Sequence, residues 1–541
     1  MIYVGSNLAT SNMLEKADKN YKTDMIESTS AEKNDLSRGN KGKQSKSPNI
    51  KKNAIYSLIS KLLITIIPVV TTPYLARVLG EVGNGQISYV SSIITYFTLA
   101  ASLGFATYGQ REIAKCRDDR EQRSITFWEI FTTKVITTTV SLGVLAVLIF
   151  TIGFGERYNT LMLIMSLQVI AVIFDIEYLY TGNENFKSIA IRNIIVKVIG
   201  VALIFIFVRT ADDVWIYALY LSLSTVFSYL IMWTGIKKYV GFVSIKKLKP
   251  WRHLKGTFII FLPMVITSLF TTFDKTMIGM LSPNPDYDNG CYEQAYKINN
   301  IAQTFITIFS GVIMPRNVYA YNTGDIETMN NNVYKTCRYV WITSLFLVAG
   351  FMVLSENFCE WFLGAGYDEV PLLLYIMSIR LLVSGFSIIF GDRFIAMGKE
   401  KYWMISVLIG AITNIGINAI LIPIWGAIGA AIATAACEVV ILIIMSILTF
   451  RNNGLSFKNV FAPSWRYIIA AGEMFCVMFI MQQFMPYIVW SFFVIGLTGA
   501  ALFAGMLLLL RDDFFIGLLR SVFGKVFAKF GRKDNNGRKD K

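Results

Sequence analysis

A single histidine, His253, serves a chain of 541 residues, and that scarcity excludes much chemistry at once. No series of imidazoles can pass protons across an apolar region, and no Ser-His-Asp set can form away from the basic loop that holds His253. The six cysteines (Cys116, Cys291, Cys337, Cys359, Cys437 and Cys476) are scattered, with no C-x-x-C pair. That spacing argues against a structural zinc site or a disulfide framework. No G-x-x-x-x-G-K-[ST] stretch occurs, so there is no phosphate-binding loop for ATP hydrolysis. Charge is thin as well: 16% of residues are charged, against about a quarter in soluble domains. Residues 1–52 lack the apolar core of a secretory signal; polar and poor in aromatics, they read as a disordered cytoplasmic tail.

What the chain has in abundance is hydrocarbon. Hydrophobic residues make up 54% of it, and apolar runs long enough to cross a bilayer, roughly 17–25 residues each, recur from residue 53 to residue 510. We count about fourteen such runs. The net charge of +15 would suit a nucleic-acid binder, but the basic residues sit in alternate short loops. Loop 110–125 holds Arg111, Lys115, Arg117, Arg120 and Arg123, and 237–255 is as basic, whereas 80–85, 282–292 and 356–369 carry no Lys or Arg. Basic loops stay on the cytoplasmic side, which predicts a multi-pass membrane protein with both termini cytoplasmic. The expected fold class is an all-α polytopic membrane protein.

Two short stretches echo each other: "EYLYTGNENF" (177–186) and "RFIAMGKEKY" (393–402), with Gly182 falling on Gly398 at a separation of 216 residues. Asn84-Gly85 falls on Asn289-Gly290 at a separation of 205 residues. The same order in both halves predicts two parallel six-helix copies, an arrangement that places a transport path between them. Gly182 and Gly398 are expected to end equivalent helices as C-caps. The domain plan is then a six-helix bundle at 53–240, a basic linker at 241–255, a second bundle at 256–450, two further helices at 465–510 and a basic tail at 511–541.

The stretches "TTPYLARVLGEVGNGQISY" (71–89), "FDKTMIG" followed by "NGCYEQAYKI", "MPR" (314–316) and "GDRFIAMGKEKY" resemble the polysaccharide-transport, Wzx-type branch of the MOP/MATE-like flippase superfamily. The likeness covers about residues 50–510 and rests on the order of these stretches rather than on one diagnostic motif. It implies two pseudo-symmetric bundles in a V with two extra C-terminal helices. It implies alternating-access transfer of undecaprenyl-diphosphate-linked oligosaccharide for capsule, exopolysaccharide or teichoic acid, from inner to outer leaflet, with a glycan polymerase and other assembly proteins as partners. It also implies that Arg77, in A-R-V-L-G, lines the central cavity. A MATE-type drug exporter and a lipid II flippase are the alternatives; an enzyme is not expected.

A diphosphate crossing a low-dielectric membrane needs fixed cations, and Arg can grip it with two nitrogens. Ionisable residues inside spans mark such paths. The candidates are Lys61, Arg77, Lys134, Arg192, Lys197, Lys275 and Arg338. Helical spacing puts Ser57, Lys61, Thr65, Pro68 and Thr72 on one stripe, Pro263, Thr267, Thr271 and Asp274 on another, and Lys134, Thr137 or Thr138, and Ser141 on a third. Without ATP, transport draws on an ion gradient (H+ or Na+), the membrane potential or substrate asymmetry. The candidate coupling residues are Glu438, Asp274, Glu129, Asn414 and Asn418, with no resident metal or cofactor. Asp274-Lys275 is alternatively a local ion pair at the outer gate, and Lys or Arg near span ends can instead snorkel to the interface.

Overall fold

Glycines and buried asparagines decide where the long apolar rods turn. The computed structural model describes residues 50–151, 156–452 and 454–520, with side chains from residue 67 onward except 156–157, 245 and 452. Of the two compact units, Ala54–Lys541 is the one described here; Met1–Asn53 falls almost wholly outside the described residues. Residues 1–49 of the tail expected at 1–52 and the end of the chain from 521 therefore lie outside them, as does the side chain of Lys61, while 50–52 begin the first helix.

The described residues are helical in order: α1 (Ile50–Ser102), α2 (Phe105–Lys115), α3 (Arg120–Thr151), α4 (Glu156–Ala171), α5 (Glu177–Gly182), α6 (Phe186–Phe207) and α7 (Val214–Trp233) in the first half. The second half holds α8 (Leu254–Leu281), α9 (Pro285–Asn322), α10 (Ile326–Phe362), α11 (Val370–Ala396) and α12 (Glu400–Asn452). After these come α13 (Phe457–Phe461), α14 (Ser464–Phe484) and α15 (Val489–Leu509). Among the described residues, eleven helices are long and apolar enough to cross a membrane, fewer than the spans expected from sequence. The difference has three sources. α1 is broken by non-helical backbone at Gly80 (φ 67°) and α12 at Gly426 (φ 51°), so each of these long elements holds two rods that the count takes as one. The third, α9, is not among the eleven; its first turns carry Asp286, Asp288, Asn289, Glu293 and Lys297.

The halves use the same device at their first turn. Asn84 Nδ2 donates to the Leu75 carbonyl at 3.0 Å and the Gly80 carbonyl at 2.7 Å, closing carbonyls that the helix end leaves free. Asn289 Nδ2 donates to the Lys275 carbonyl at 3.0 Å in the same way. The glycine after each asparagine meets the opposite half. A Cβ on Gly85 would lie 1.7 Å from the Asp286 carbonyl oxygen, and one on Gly290 would lie 2.0 Å from that of Glu81. The second rod of α1 and the start of α9 thus touch backbone to backbone, reciprocally, at the end of the molecule away from the basic loops, the outer end. Small residues allow such close crossings in a membrane, where packing rather than water expulsion holds helices together.

The repeated turn differs from the expected register. α11 ends with Gly398 at φ 67°, its N–H bonding the Ile395 carbonyl at 3.0 Å while Lys399 N–H reaches that of Phe394 at 2.8 Å. This is the Schellman arrangement. In the first half the left-handed position is Glu184 (φ 54°), with Glu184 N–H on Thr181 and Asn185 N–H on Tyr180. Gly182 is not the C-cap; it sits two residues earlier, where a Cβ would press on Ile113 Cγ2 at 2.8 Å. The structural equivalence is Glu184 with Gly398, so chain identity of the glycines misplaced the match by two residues.

Packing follows the halves. Two buried clusters draw only on residues 75–240, one nearer the outer end (Leu75, Val90, Met165, Ala218) and one nearer the basic loops (Phe127, Ile130, Tyr178, Met232). Two others draw on residues from Met277 onward, with Ala76 alone coming from the first half. α14 and α15 join the larger of these through Met474, Met478, Ile495 and Phe503.

Candidate functional site

The halves meet at the outer end through polar contacts as well as glycines. Ser92 Oγ and Thr276 Oγ1 lie 2.8 Å apart, Tyr158 donates to Asp286 Oδ1 at 2.6 Å, and Asn84 Nδ2 donates to the Tyr367 hydroxyl at 3.1 Å. Arg77 belongs here. It is exposed, three residues before the Gly80 break, and its guanidinium donates to the Trp361 carbonyl of α10. At the basic-loop end, α8 is tied to the first half. Glu129 of α3, fully buried, accepts from Lys249 N–H at 2.8 Å and lies 2.7 Å from Arg252 Nη2 and 2.9 Å from His253 Nε2. Glu129 thus anchors the linker and is not near the other coupling candidates.

Asp274 gathers a cluster inside the second half. Asn418 Nδ2 donates to its Oδ1 at 2.6 Å, and Tyr292 and Thr434 donate to its Oδ2 at 2.6 and 2.9 Å. Asn418 Nδ2 also lies 3.1 Å from Asn414 Oδ1. All five residues are buried. Asp274 has no cationic partner among the described residues, and Asn418 Oδ1 and Asn414 Nδ2 lack hydrogen bonds. A carboxylate among neutral groups at membrane depth is costly, and this oxygen-rich set fits a hard monovalent cation or a proton. The sequence reading named Asp274, Asn414 and Asn418; it missed Tyr292 and Thr434. Thr434 sits one turn before Glu438, a spacing that could have flagged it.

Lys275 points elsewhere than its neighbour. It pairs with Glu293 rather than Asp274, and Lys297 approaches the same carboxylate at 3.2 Å. Ser88 Oγ lies 3.4 Å from Glu293 Oε2, across the two halves. Two cations therefore share one acid, with the face of Tyr296 beside Lys275 at 5.2 Å and beside Arg380 at 5.4 Å. Arg380 pairs with Glu438 at 3.3 Å and donates to Asn299 at 2.9 Å. That pairing places Glu438 in an ion pair separate from Asp274.

Among the remaining candidates, Lys134 is buried and saturated, 3.3 Å from Asp175 Oδ2 and 2.5 Å from the Asp175 carbonyl. Its stripe packs on α1: Thr137 donates to the Ala101 carbonyl and Ser141 to that of Phe97. Thr267 and Thr271 bond back to their own helix. Arg192 pairs with Glu177 at 2.8 Å and lines a polar cleft with Lys197. Arg338 stands apart, in a cavity of about 850 Å³ with Lys335, Lys458 and Asp513 against the C-terminal helices.

The sequence matches the family described as polysaccharide biosynthesis protein over residues 50–318. An O-antigen transporter of Escherichia coli (strain K12) is 23% identical over 416 residues, covering 75% of this chain and 98% of the relative. These matches make the chain similar to proteins of polysaccharide biosynthesis and transport. With the long apolar helices among its described residues, the chain reads as a multi-pass membrane protein. Another relative, the capsular polysaccharide biosynthesis protein CapF of Staphylococcus aureus, is 22% identical over 312 residues, 56% of this chain and 77% of that one. In fold, the chain is similar to a lipid II flippase MurJ solved in an inward closed conformation, with a TM-score of 0.69 and 15% identity over 86% of this chain and all of that one (100%). An inward-facing MATE family multidrug transporter aligns with a TM-score of 0.55 and 14% identity over 76% and 99%.

Proposed function

We propose that the protein moves undecaprenyl-diphosphate-linked oligosaccharide units from the inner to the outer leaflet by alternating access between its two halves. One observation carries this reading: at membrane depth two lysines share one acid and a third lysine pairs with none among the described residues. Lys275 and Lys297 share Glu293, and Lys197 has no ion pair among the described residues. A surplus of fixed positive charge lowers the cost of bringing a diphosphate through hydrocarbon and repels the organic cations a drug exporter carries. The names of the family relatives support the glycan class, and the clasped outer end supports a state that loads from the basic-loop side. In this reading Asp274, Asn414, Asn418, Thr434 and Tyr292 hold the coupling ion, H+ or Na+, with a rotation of the Asn418 amide turning its free Oδ1 inward.

The test is reconstitution in proteoliposomes with undecaprenyl-diphosphate-linked oligosaccharide, read by the glycan's accessibility to an added lectin. Transfer is expected, and Lys275→Gln with Lys297→Gln should slow it by about tenfold or more. Efflux of ethidium without glycan transfer would overturn the proposal.

A further inference from the structure

α6 and α7 enclose a cleft that neither the outer clasp nor the Asp274 cluster uses. Its deeper part is polar, about 310 Å³, and is lined by Arg192, Asn193, Lys197, Ser228 and Tyr229 among others. Its other part is an apolar groove of about 590 Å³ running past Ile199, Leu203, Phe207 and Trp215. The two are continuous, because Val196, Tyr220 and Ser224 line both.

Two groups in the polar part lack partners. Arg192 is 5% exposed. Its Nη2 reaches Glu177 and Asn193 and its Nε reaches Asn193, but Nη1 is buried with no hydrogen bond. Lys197 has neither an ion pair nor a hydrogen bond among the described residues. A buried guanidinium nitrogen without an acceptor is expensive, and two cations one and a half turns apart ask for an anion with several oxygens. Depth narrows the choice. Lys197 lies eleven residues into the 22-residue α6, about 16 Å along its axis at the helical rise. That is near the middle of the hydrocarbon, far below the level at which an ordinary phospholipid keeps its headgroup.

We propose that this cleft binds a phosphate-bearing isoprenoid lipid, its phosphate on Arg192 and Lys197 and its tail along the groove between α6 and α7. The cleft is a station on the path of the lipid-linked substrate, so the inference rests on the proposed function above. Gly200 shapes it: a Cβ there would press on the Tyr220 hydroxyl at 2.4 Å, so the glycine leaves room for the ring that lines both parts.

The experiment places a photoreactive benzoylphenylalanine at Ile199 of the full chain in nanodiscs. Radiolabelled undecaprenyl diphosphate or radiolabelled dioleoylphosphatidylglycerol is the probe. Labelling by undecaprenyl diphosphate is expected, falling by about tenfold in Lys197→Gln and returning in Lys197→Arg. Leu203→Trp, which fills the groove without touching the cations, should also abolish it. Equal labelling by the phospholipid, or labelling indifferent to Lys197→Gln, would overturn the proposal by marking the groove as a surface for bulk lipid. Arg192→Gln serves as a second variant, with membrane content measured because it leaves Glu177 unpaired. The two readings fail separately: no labelling with intact glycan transfer sinks the cleft alone, and labelling without transfer in the unsubstituted protein sinks the proposed function.

Discussion

Single residues here are decided by what lies across the helix, not by what lies along it. Lys134 and Lys197 are alike in sequence terms, each a lysine inside an apolar run, yet the first is held by Asp175 and the second has no ion pair among the described residues. Lys275 and Asp274 are chain neighbours that point into different clusters, because successive helical positions are about 100° apart. Asp274 is the residue on which coupling can be tested. Asp274→Asn keeps the Tyr292 and Thr434 contacts available while removing the charge. It should cut gradient-driven glycan transfer by roughly tenfold or more while leaving undecaprenyl diphosphate binding in place. Transfer that keeps its dependence on the ion gradient in Asp274→Asn would show that coupling lies elsewhere.

Among elements, the second rod of α1 and the start of α9 carry the closure of the outer end. Their contact works only with glycine at positions 85 and 290, since any side chain would enter the backbone of the facing helix. Gly85→Ala should cost the closed arrangement about 1–3 kcal/mol, as overpacking does. The expected readout is faster labelling of a cysteine at Ser88 by a membrane-impermeant maleimide, with Gly290→Ala having the same effect. Unchanged labelling in both variants would mean that the crossing is not what holds the outer end shut. The asparagines and glycines of this device were visible in the sequence as the repeat at 84–85 and 289–290. The partner of each was not, because the crossing pairs one half with the other. The turn register was misread for a related reason: Gly182 is conserved in type with Gly398 only by coincidence of packing on Ile113, while the cap itself falls on Glu184.

For the whole molecule, two separately cored halves joined at their outer ends suit a machine that rocks. Ser92 and Thr276 put oxygens from opposite halves 2.8 Å apart, close enough for a disulfide once both are cysteine. With the exposed native Cys476 replaced by serine, Ser92→Cys with Thr276→Cys should stop glycan transfer under oxidising conditions and recover it on reduction. Transfer that persists while the disulfide is formed would rule out opening at this end.

The sequence by itself determined the membrane class and the all-helical fold, because hydropathy and charge act locally along a chain and need no partner to be read. It also brought out Asp274, Asn414 and Asn418, whose polarity is conspicuous in apolar runs. Only the tertiary structure decided which cations are compensated, that Glu438 serves Arg380 and Glu129 serves the linker, and that Tyr292 and Thr434 complete the Asp274 cluster. Charge compensation in a low-dielectric interior acts over a few ångströms between helices far apart in sequence, so spacing along the chain holds no record of it.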